Sequence, residues 1–291
     1  MKLGRCLAAA PALACALLFS GCSYFLPTKR HLPVPIAPPS VQTLSPEELV
    51  KLVNQRWDAL NTLTVTAQVT AHNKTNDYPS FRCNVVMEKP KMLRVLGRFF
   101  GVKAFDMASN GQNFTLVIPQ KNLAIKGPDQ ATDASGTDWE NLRPDFFRDA
   151  IYVRGLAPDD EYMVTSDSET VADAAKKHLY TEPEYVLNVM RHKNGQEIQP
   201  LRTVTFHRDD MLPYDQYVYD NSGVLETQVF YSNYATFSAG KYPSKIVIKR
   251  PREGIELDLA VEQVHQMANS DLPAGEFDVP IPAGYTVKNL K

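Results

Sequence analysis

Cysteine is nearly absent from most of the chain. Of the four Cys in 291 residues, three lie within the first 22 positions, and only Cys83 follows them. A disulfide within the body of the chain is therefore excluded. A closed structural zinc site needs about four nitrogen or sulfur ligands, and one Cys with His residues far apart in sequence disfavours such a site. We expect neither a metal nor a cofactor.

The sequence also lacks an excess of charge of one sign. Its 31 Lys and Arg stand against 33 Asp and Glu, which gives a net charge of −2 at pH 7. The charge therefore gives no reason to expect nucleic-acid binding. With 44% hydrophobic and 22% charged residues, the composition is typical of a globular protein rather than of a disordered or polytopic membrane protein.

Recognised catalytic motifs are missing as well. The sequence contains no glycine-rich phosphate-binding loop, no HExxH zinc motif and no GxSxG nucleophile motif. The acidic pairs Asp159-Asp160 and Asp209-Asp210 are typical of turns rather than of a glycosidase. We expect a protein that is not an enzyme. A hydrolase of envelope polymers, with residues distant in sequence, is the least favoured alternative.

The amino terminus has the organisation of a signal peptide. Lys2 and Arg5 precede an apolar run from Cys6 to Ser20, which is shorter than the roughly 20 residues of a transmembrane helix. The segment 18–22, LFSGC, resembles a bacterial lipobox, whose Cys becomes the acylated first residue of the mature chain. We therefore predict a signal peptide over 1–21 and lipidation of Cys22. The alternative is an ordinary secretory signal that is cleaved elsewhere.

Lipidation would hold the chain on a bilayer, because each buried methylene contributes about 0.8 kcal/mol. Ser23, rather than Asp, follows the Cys. By resemblance to proteobacterial sorting rules, this implies an outer-membrane anchor with the body on the periplasmic face. Residues 22–44 contain five Pro, which favours an extended polyproline tether. Part of this segment could instead be a strand packed on the body, which we place at 45–291.

The body begins with a strong helix signal. Ser45-Pro46-Glu47-Glu48 supplies an N-cap, a Pro at the first helical position and a capping box, and apolar residues follow at helical spacing to about Asn61. Over 63–71 the period changes to two, as in a strand with one buried face.

Strand patterns continue through most of the chain and predict eleven to twelve strands joined by tight turns. So many antiparallel hairpins usually curl into a barrel, which removes exposed edges. The fold class is therefore mainly β, with a few helices. Residues 128–183 differ: 128–138 predict a polar loop, 139–153 one or two short helices broken near Pro144, and 171–179 a helix or a loop. The apolar helix could fill the core or form a lid over a cavity.

Three short segments in a fixed order resemble the LolA/LolB-like superfamily of periplasmic lipoprotein carriers and outer-membrane lipoprotein receptors. They are 87–95 (MEKPKMLRV), 108–114 (ASNGQNF) and 277–285 (FDVPIPAGY), and the resemblance spans about 45–287. The lipobox favours the anchored receptor. The resemblance implies an incomplete antiparallel barrel of about eleven strands around helices, with an apolar cavity for lipoprotein or lipid acyl chains. A periplasmic carrier protein is the implied partner.

Strand parity identifies which side chains would face the interior of such a barrel. The predicted cavity residues are Val65, Ala67, Val69, Val85, Met87, Leu93, Val95, Phe105, Met107, Phe114, Leu116 and Ile118, with Cys83 on the same face. Inward residues of small barrels usually form a filled core. With a filled core, the protein would be a structural or sensing lipoprotein in envelope assembly.

The segment Arg98-Phe99-Phe100-Gly101 lies between two strands, where a turn ought to be polar. In the membrane-bound receptor of the family, an apolar residue on a comparable loop is implicated in handing cargo to the membrane. The resemblance therefore implies a membrane or cargo contact for Phe99 and Phe100. Alternatively, both rings fold back onto the core.

Mass spectrometry of the mature amino terminus checks the predicted anchor. We expect Cys22 to be the first residue and to carry acyl chains, because the apolar run ends directly before it. An unmodified first residue, or cleavage before Cys15, would contradict the prediction.

Overall fold

The computed structural model describes most of the chain beyond the predicted tether. The predicted signal peptide, Cys22 and most of the tether lie outside the described residues. These are 35–38, 40–129, 131, 140, 142–172, 175, 178–193, 195, 197–267 and 272–291.

The chain divides into two compact units. One comprises Met1–Ala37 with Thr170–Thr181, and the other Pro38–Glu169 with Glu182–Lys291. In the described part of the first unit, Ile36 forms a parallel bridge with Tyr180. Its N–H donates to Leu179 O at 2.7 Å, and its carbonyl accepts from Thr181 N at 2.9 Å. One residue of the predicted tether is therefore strand-paired.

The second unit begins with the predicted capped helix, α1 (Pro46–Ala59). Ser45 Oγ accepts from Glu48 N at 3.2 Å, and Glu48 Oε2 accepts from Ser45 N at 2.7 Å. The capping box satisfies two backbone donors that a helix start leaves unpaired. Leu49 and Val53 form the buried face of α1.

Fourteen strands form one sheet over the described residues. Their bounds are β1 (Thr62–Asn73), β2 (Phe81–Glu88), β3 (Met92–Phe99), β4 (Val102–Ser109), β5 (Asn113–Ile118), β6 (Leu123–Pro128), β7 (Glu161–Ala172), β8 (Leu179–Lys193), β9 (Glu197–His207), β10 (Pro213–Tyr219), β11 (Leu225–Phe237), β12 (Gly240–Arg250), β13 (Ile255–Met267) and β14 (Thr286–Asn289). A second helix, α2 (Pro144–Ile151), and a 3-10 turn, Pro119–Lys121, complete the regular elements.

The sheet order is β14-β6-β5-β4-β3-β2-β1-β13-β12-β11-β10-β9-β8-β7, with β14 and β7 at its two ends. The sheet is therefore not closed, and the predicted mainly β class with an incomplete barrel is confirmed. Strand β1 lies in the middle, antiparallel to β2 and β13. Its alternating positions from Leu63 to Ala71 are buried, as the period of two predicts.

Two strands are additional to those predicted from the sequence. Strand β7 is mostly exposed on both faces, so it lacks the alternation that identifies a strand. Strand β14 has four residues and pairs in parallel with β6. Of the segment 171–179, residues 171 and 172 end β7 and 179 begins β8, whereas 173, 174, 176 and 177 lie outside the described residues.

Helix α2 lies in the core. It begins at Pro144, as expected for Pro at a first helical position. Of the residues predicted to precede this break, 139 and 141 lie outside the described residues. All of its residues except Asp145 are buried, and it contacts β3, β4 and β12. Phe146, Phe147, Ala150 and Ile151 belong to the same hydrophobic cluster as the inward residues of β1–β5. This part of the chain therefore fills the core.

Charged groups on α2 are buried together with compensating partners. Arg148 Nη2 donates to Asp129 Oδ2 at 2.8 Å and to Ser109 Oγ at 3.0 Å, and Arg148 also pairs with Asp145. The Arg250 guanidinium lies 4.0 Å from the centroid of the Phe146 ring. Burying an unpaired charge would be costly, so these partners allow a helix that carries charged side chains to occupy the core.

Cys83 is a free, buried thiol on β2. Burial raises the pKa of Cys83 from 9.0 to about 12, because the surrounding apolar side chains disfavour the thiolate.

Replacing Phe147 with Ala tests the role of α2 in stability. We expect a loss of about 3–5 kcal/mol in the free energy of unfolding, because the change leaves a large cavity in the core. Phe100→Ala is the matched control, since Phe100 is fully exposed, and it should stay within about 0.5 kcal/mol of the wild type. Urea unfolding measures both. Equal effects would contradict the assignment of α2 to the core.

Candidate ligand-binding cleft

A cleft of about 410 Å³ opens beside the end of α1, and this volume is within the usual range of about 300–1,000 Å³ for small-molecule sites. We call it the tyrosine cleft. Its lining residues are Val53, Arg56, Ala59, Leu60, Leu63, Ile151, Tyr152, Val153, Phe206, Asp210, Leu212, Pro213, Tyr231, Tyr234, Ala239, Lys241, Tyr242, Pro243 and Gln266.

Helix α1 supplies one wall of the tyrosine cleft. Val53 and Arg56 line it, and their spacing of three places them on one helix face. Leu60, the extended residue directly after the helix, continues this wall. Gln266 Nε2 donates to Ala59 O at 2.6 Å, which joins the last turn of α1 to β13. The cleft therefore lies where the helix ends and the first strand begins.

Strand β11 supplies an opposite wall through Tyr231 and Tyr234. A regular strand would direct side chains three residues apart to opposite faces. Asn233 between them has φ of 54°, a left-handed conformation that Asn tolerates better than most residues. This residue interrupts the alternation, and both tyrosines line the cleft.

Three tyrosine hydroxyls fix the cleft walls to backbone carbonyls. Tyr152 Oη donates to Arg56 O at 3.0 Å, Tyr242 Oη donates to Ile151 O at 2.6 Å, and Tyr234 Oη donates to Pro213 O. Burial raises the pKa of all three phenols, so they remain neutral donors. Their rings present an apolar surface to the cleft, while their polar ends are satisfied elsewhere.

The fourth tyrosine differs in its hydrogen bonding. The Tyr231 hydroxyl is buried and has no hydrogen-bond partner among the described residues, and only 4% of the residue is exposed. Burial raises the pKa of Tyr231 well above its ordinary value. The cleft thus has one neutral donor whose bonding capacity is unused.

The charged lining residues are Arg56, Lys241 and Asp210. Arg56 Nη1 donates to Met211 O, and burial lowers the pKa of the guanidinium, partly offset by Tyr152, Tyr234 and Asp210 nearby. Arginine nevertheless stays charged at neutral pH. The lining therefore combines a large apolar area with two cations and one anion.

The twelve predicted cavity residues lie elsewhere. Each is at most 5% exposed, and all of them belong to the core cluster that includes α2. None occurs among the described residues that line the tyrosine cleft. Phe114 alone lines a second pocket of about 390 Å³, beside Phe277, Asp278 and Val279. The other eleven are enclosed in the packed core, and the binding role of all twelve stays a prediction.

Sequence reasoning did not identify the residues of the tyrosine cleft. Tyr231 and Tyr242 occupy inward strand positions, Val53 lies on the apolar face of α1, and Leu60 directly follows that helix, so each could be predicted as buried. Their convergence depends on pairing between β11 and β12 and on the position of α1, which no local pattern encodes.

The three sequence segments that carry the LolA/LolB resemblance meet in space. Arg94 forms two hydrogen bonds of 3.0 Å with the carboxylate of Asp106, and its Nη1 donates to Glu276 O at 3.1 Å. Val279 packs in a cluster with Ala108. These contacts hold the carboxyl-terminal segment across β3 and β4, which gives the order of the three segments a structural reason.

Solved structures with similar folds include proteins from three bacteria. A DUF1329 family protein from Desulfovibrio piger aligns with a TM-score of 0.55 and 14% identity, over 79% of this chain and 94% of that chain. A LolA superfamily protein from Nitrosomonas europaea aligns with a TM-score of 0.50 and 14% identity, over 81% and 99%. A Vibrio parahaemolyticus domain, assigned as an outer membrane lipoprotein-sorting protein, aligns with a TM-score of 0.51 and 10% identity, over 79% and 93%.

The chain has the LolA-like fold. The resemblance predicted from the sequence is thus confirmed at the level of fold. No protein-family model and no curated protein sequence matches the chain, and identities of 10–14% compare architectures rather than activities.

Two other kinds of site are absent from the described residues. Among these residues, no three His, Cys, Asp or Glu side chains are placed to hold a metal ion. Among the described helices, neither length nor hydropathy is sufficient for a membrane span.

The two phenylalanines at the β3–β4 connection lie in different environments. Phe99 packs against the core, and its ring centroid lies 5.4 Å from that of Phe81. Phe100 has φ of 46° and is fully exposed, beside Gly101. Of the pair, Phe100 is therefore the residue placed to contact another surface, and its membrane role stays a prediction.

Replacing both phenylalanines with Ser is expected to weaken association of the non-acylated protein with liposomes. The single variant Phe100→Ser should account for this loss, since its ring is the exposed one, and it should leave the unfolding midpoint unchanged. Phe99→Ser is the matched control, which should lower the midpoint instead. Flotation with liposomes measures association. Wild-type flotation of Phe100→Ser would end the hypothesis.

Proposed function

We propose that the chain is a lipoprotein that binds an acyl chain of a lipoprotein or lipid, and that it serves in lipoprotein localisation or lipid transfer. In this proposal residues 1–21 are the signal peptide, acylated Cys22 anchors the chain in the outer membrane, 22–44 form the tether, and 45–291 face the periplasm. The observation that carries the binding proposal is the apolar tyrosine cleft.

An apolar cleft is sufficient for acyl-chain binding. Each methylene moved from water to an apolar surface contributes about 0.8 kcal/mol, and no catalytic group is required. Val53, Leu60, Leu63, Ile151 and Phe206 supply such a surface, and the tyrosine rings extend it. The backbone carbonyls nearby accept hydrogen bonds from tyrosine hydroxyls and glutamine, so they do not oppose an apolar ligand.

The LolA-like fold supports the proposal by analogy. The Vibrio parahaemolyticus domain is assigned to outer membrane lipoprotein sorting, and the lipobox-like segment at 18–22 agrees with an envelope location. A periplasmic carrier protein as the donor of the acyl chain follows from the same analogy.

A second function is favoured by one observation. The predicted cavity residues pack against α2 in a filled core, which agrees with a non-enzymatic structural or sensing lipoprotein in envelope assembly. Uptake of an apolar ligand distinguishes the two functions, because a scaffold with a filled core has no need of it.

Displacement of a bound fluorescent fatty acid tests the acyl-chain proposal. We expect micromolar affinity, and we expect Ala239→Trp to weaken binding at least tenfold because the indole would occupy the tyrosine cleft. Ala172→Trp adds the same side chain at an exposed position of β7 and should bind as the wild type does. No uptake by the wild type would favour the scaffold. Equal uptake by the wild type and both variants would place binding outside the cleft.

A further inference from the structure

Positive charges outnumber negative charges among the described lining residues of the tyrosine cleft. Arg56 and Lys241 are cations and Asp210 is the one carboxylate among the described lining residues. The cleft thus has a net charge of +1, within a chain whose net charge is −2. Lys241 is exposed, whereas Arg56 is partly buried, so the positive charge extends from the surface towards the apolar wall.

Arg56 has spare hydrogen-bonding capacity. A guanidinium carries five N–H donors, and the acceptor found for it among the described residues is the carbonyl of Met211. Neither Arg56 nor Lys241 forms an ion pair with a described carboxylate. A partly buried cation that forms no ion pair favours an anion from outside the chain.

The carboxylate of Asp210 accepts hydrogen bonds within its own turn. Its Oδ1 accepts from Leu212 N at 2.8 Å, and its Oδ2 accepts from the Tyr214 hydroxyl at 3.0 Å. Each oxygen therefore accepts one hydrogen bond that shapes the β9–β10 connection. The donors of the cleft that have no acceptor among the described residues are the remaining N–H groups of Arg56, the ammonium of Lys241 and the Tyr231 hydroxyl.

The cleft is large enough for the apolar part of one ligand. Its volume of about 410 Å³ lies within the usual range of about 300–1,000 Å³ for small-molecule sites, and this accommodates one acyl chain of medium length.

We propose that the tyrosine cleft selects a single acyl chain that ends in an anionic oxygen group, a carboxylate or a phosphate, with that group at Arg56 and Lys241. The inference rests on the acyl-chain function proposed above and specifies the class of ligand. A neutral acyl chain would fill the apolar wall but would leave the net positive charge of the lining uncompensated.

Ligands of equal chain length and different head groups test this inference. The mature chain from residue 22, with Cys22→Ser so that no detergent is needed, is titrated at pH 7.5 and low salt against a neutral fluorescent probe. We expect dodecanoate and dodecyl phosphate to displace the probe at least tenfold more tightly than dodecanol and methyl dodecanoate. The preference should shrink with added salt, because screening weakens the attraction. The tighter of the two anions identifies the head group.

Two outcomes separate this inference from the function on which it rests. Equal affinity for all four ligands would overturn the anionic selection and leave the acyl-chain function intact. Failure of every ligand to displace the probe would overturn both.

Variants locate the selecting groups. Lys241→Gln should reduce the preference for dodecanoate over dodecanol at least threefold, with affinity for dodecanol unchanged. Lys245→Gln is the matched control, because it removes an exposed cation of the same strand that does not line the cleft, and it should keep the full preference. Arg56→Gln should abolish the preference, with an unfolding midpoint measured alongside. An unchanged preference in both Lys241→Gln and a folded Arg56→Gln would overturn the assignment.

Discussion

The structure depends on covering the apolar face of a sheet that does not close. Strands β1–β5 direct a continuous row of apolar side chains to one side, and water must be excluded from it. Helix α2 does this with Phe146, Phe147 and Ile151. Because the helix also carries Arg148 into the core, Asp129 has to lie beside it. The core therefore contains an ion pair between Arg148 of α2 and Asp129, which directly follows β6.

The position of the tyrosine cleft depends on where helix α2 ends. Helix α2 packs against β3, β4 and β12, and the residues that follow it, Tyr152 and Val153, line the cleft together with the end of α1. Part of the remaining wall consists of Tyr152, Tyr234 and Tyr242, whose hydroxyls bond to backbone carbonyls. A surface of this kind is apolar towards a ligand and hydrogen-bonded towards the protein, and this property makes it suitable for an acyl chain.

Much of the architecture could be predicted from the sequence, whereas the position of the cleft could not. Three features are local patterns: the capping box at Ser45, the alternation of β1 and the order of the hairpins. Each depends on interactions between residues that are close in sequence. The exposed strand β7 has no such pattern, and β14 depends on a distant partner. Strand parity correctly identified residues such as Val65 and Met107 as inward, but parity cannot tell whether a helix or a ligand covers them. Convergence of α1, β11 and β12 is a tertiary property.

The buried thiol of Cys83 has a consequence for the chemistry of the folded chain. With its pKa raised to about 12, almost no thiolate exists at neutral pH, and thiolate is the species that attacks a disulfide or an alkylating reagent. An oxidising compartment therefore leaves this cysteine untouched as long as the sheet is intact. Modification of Cys83 requires the central strands to open. The rate of its modification therefore measures how often this part of the sheet unfolds.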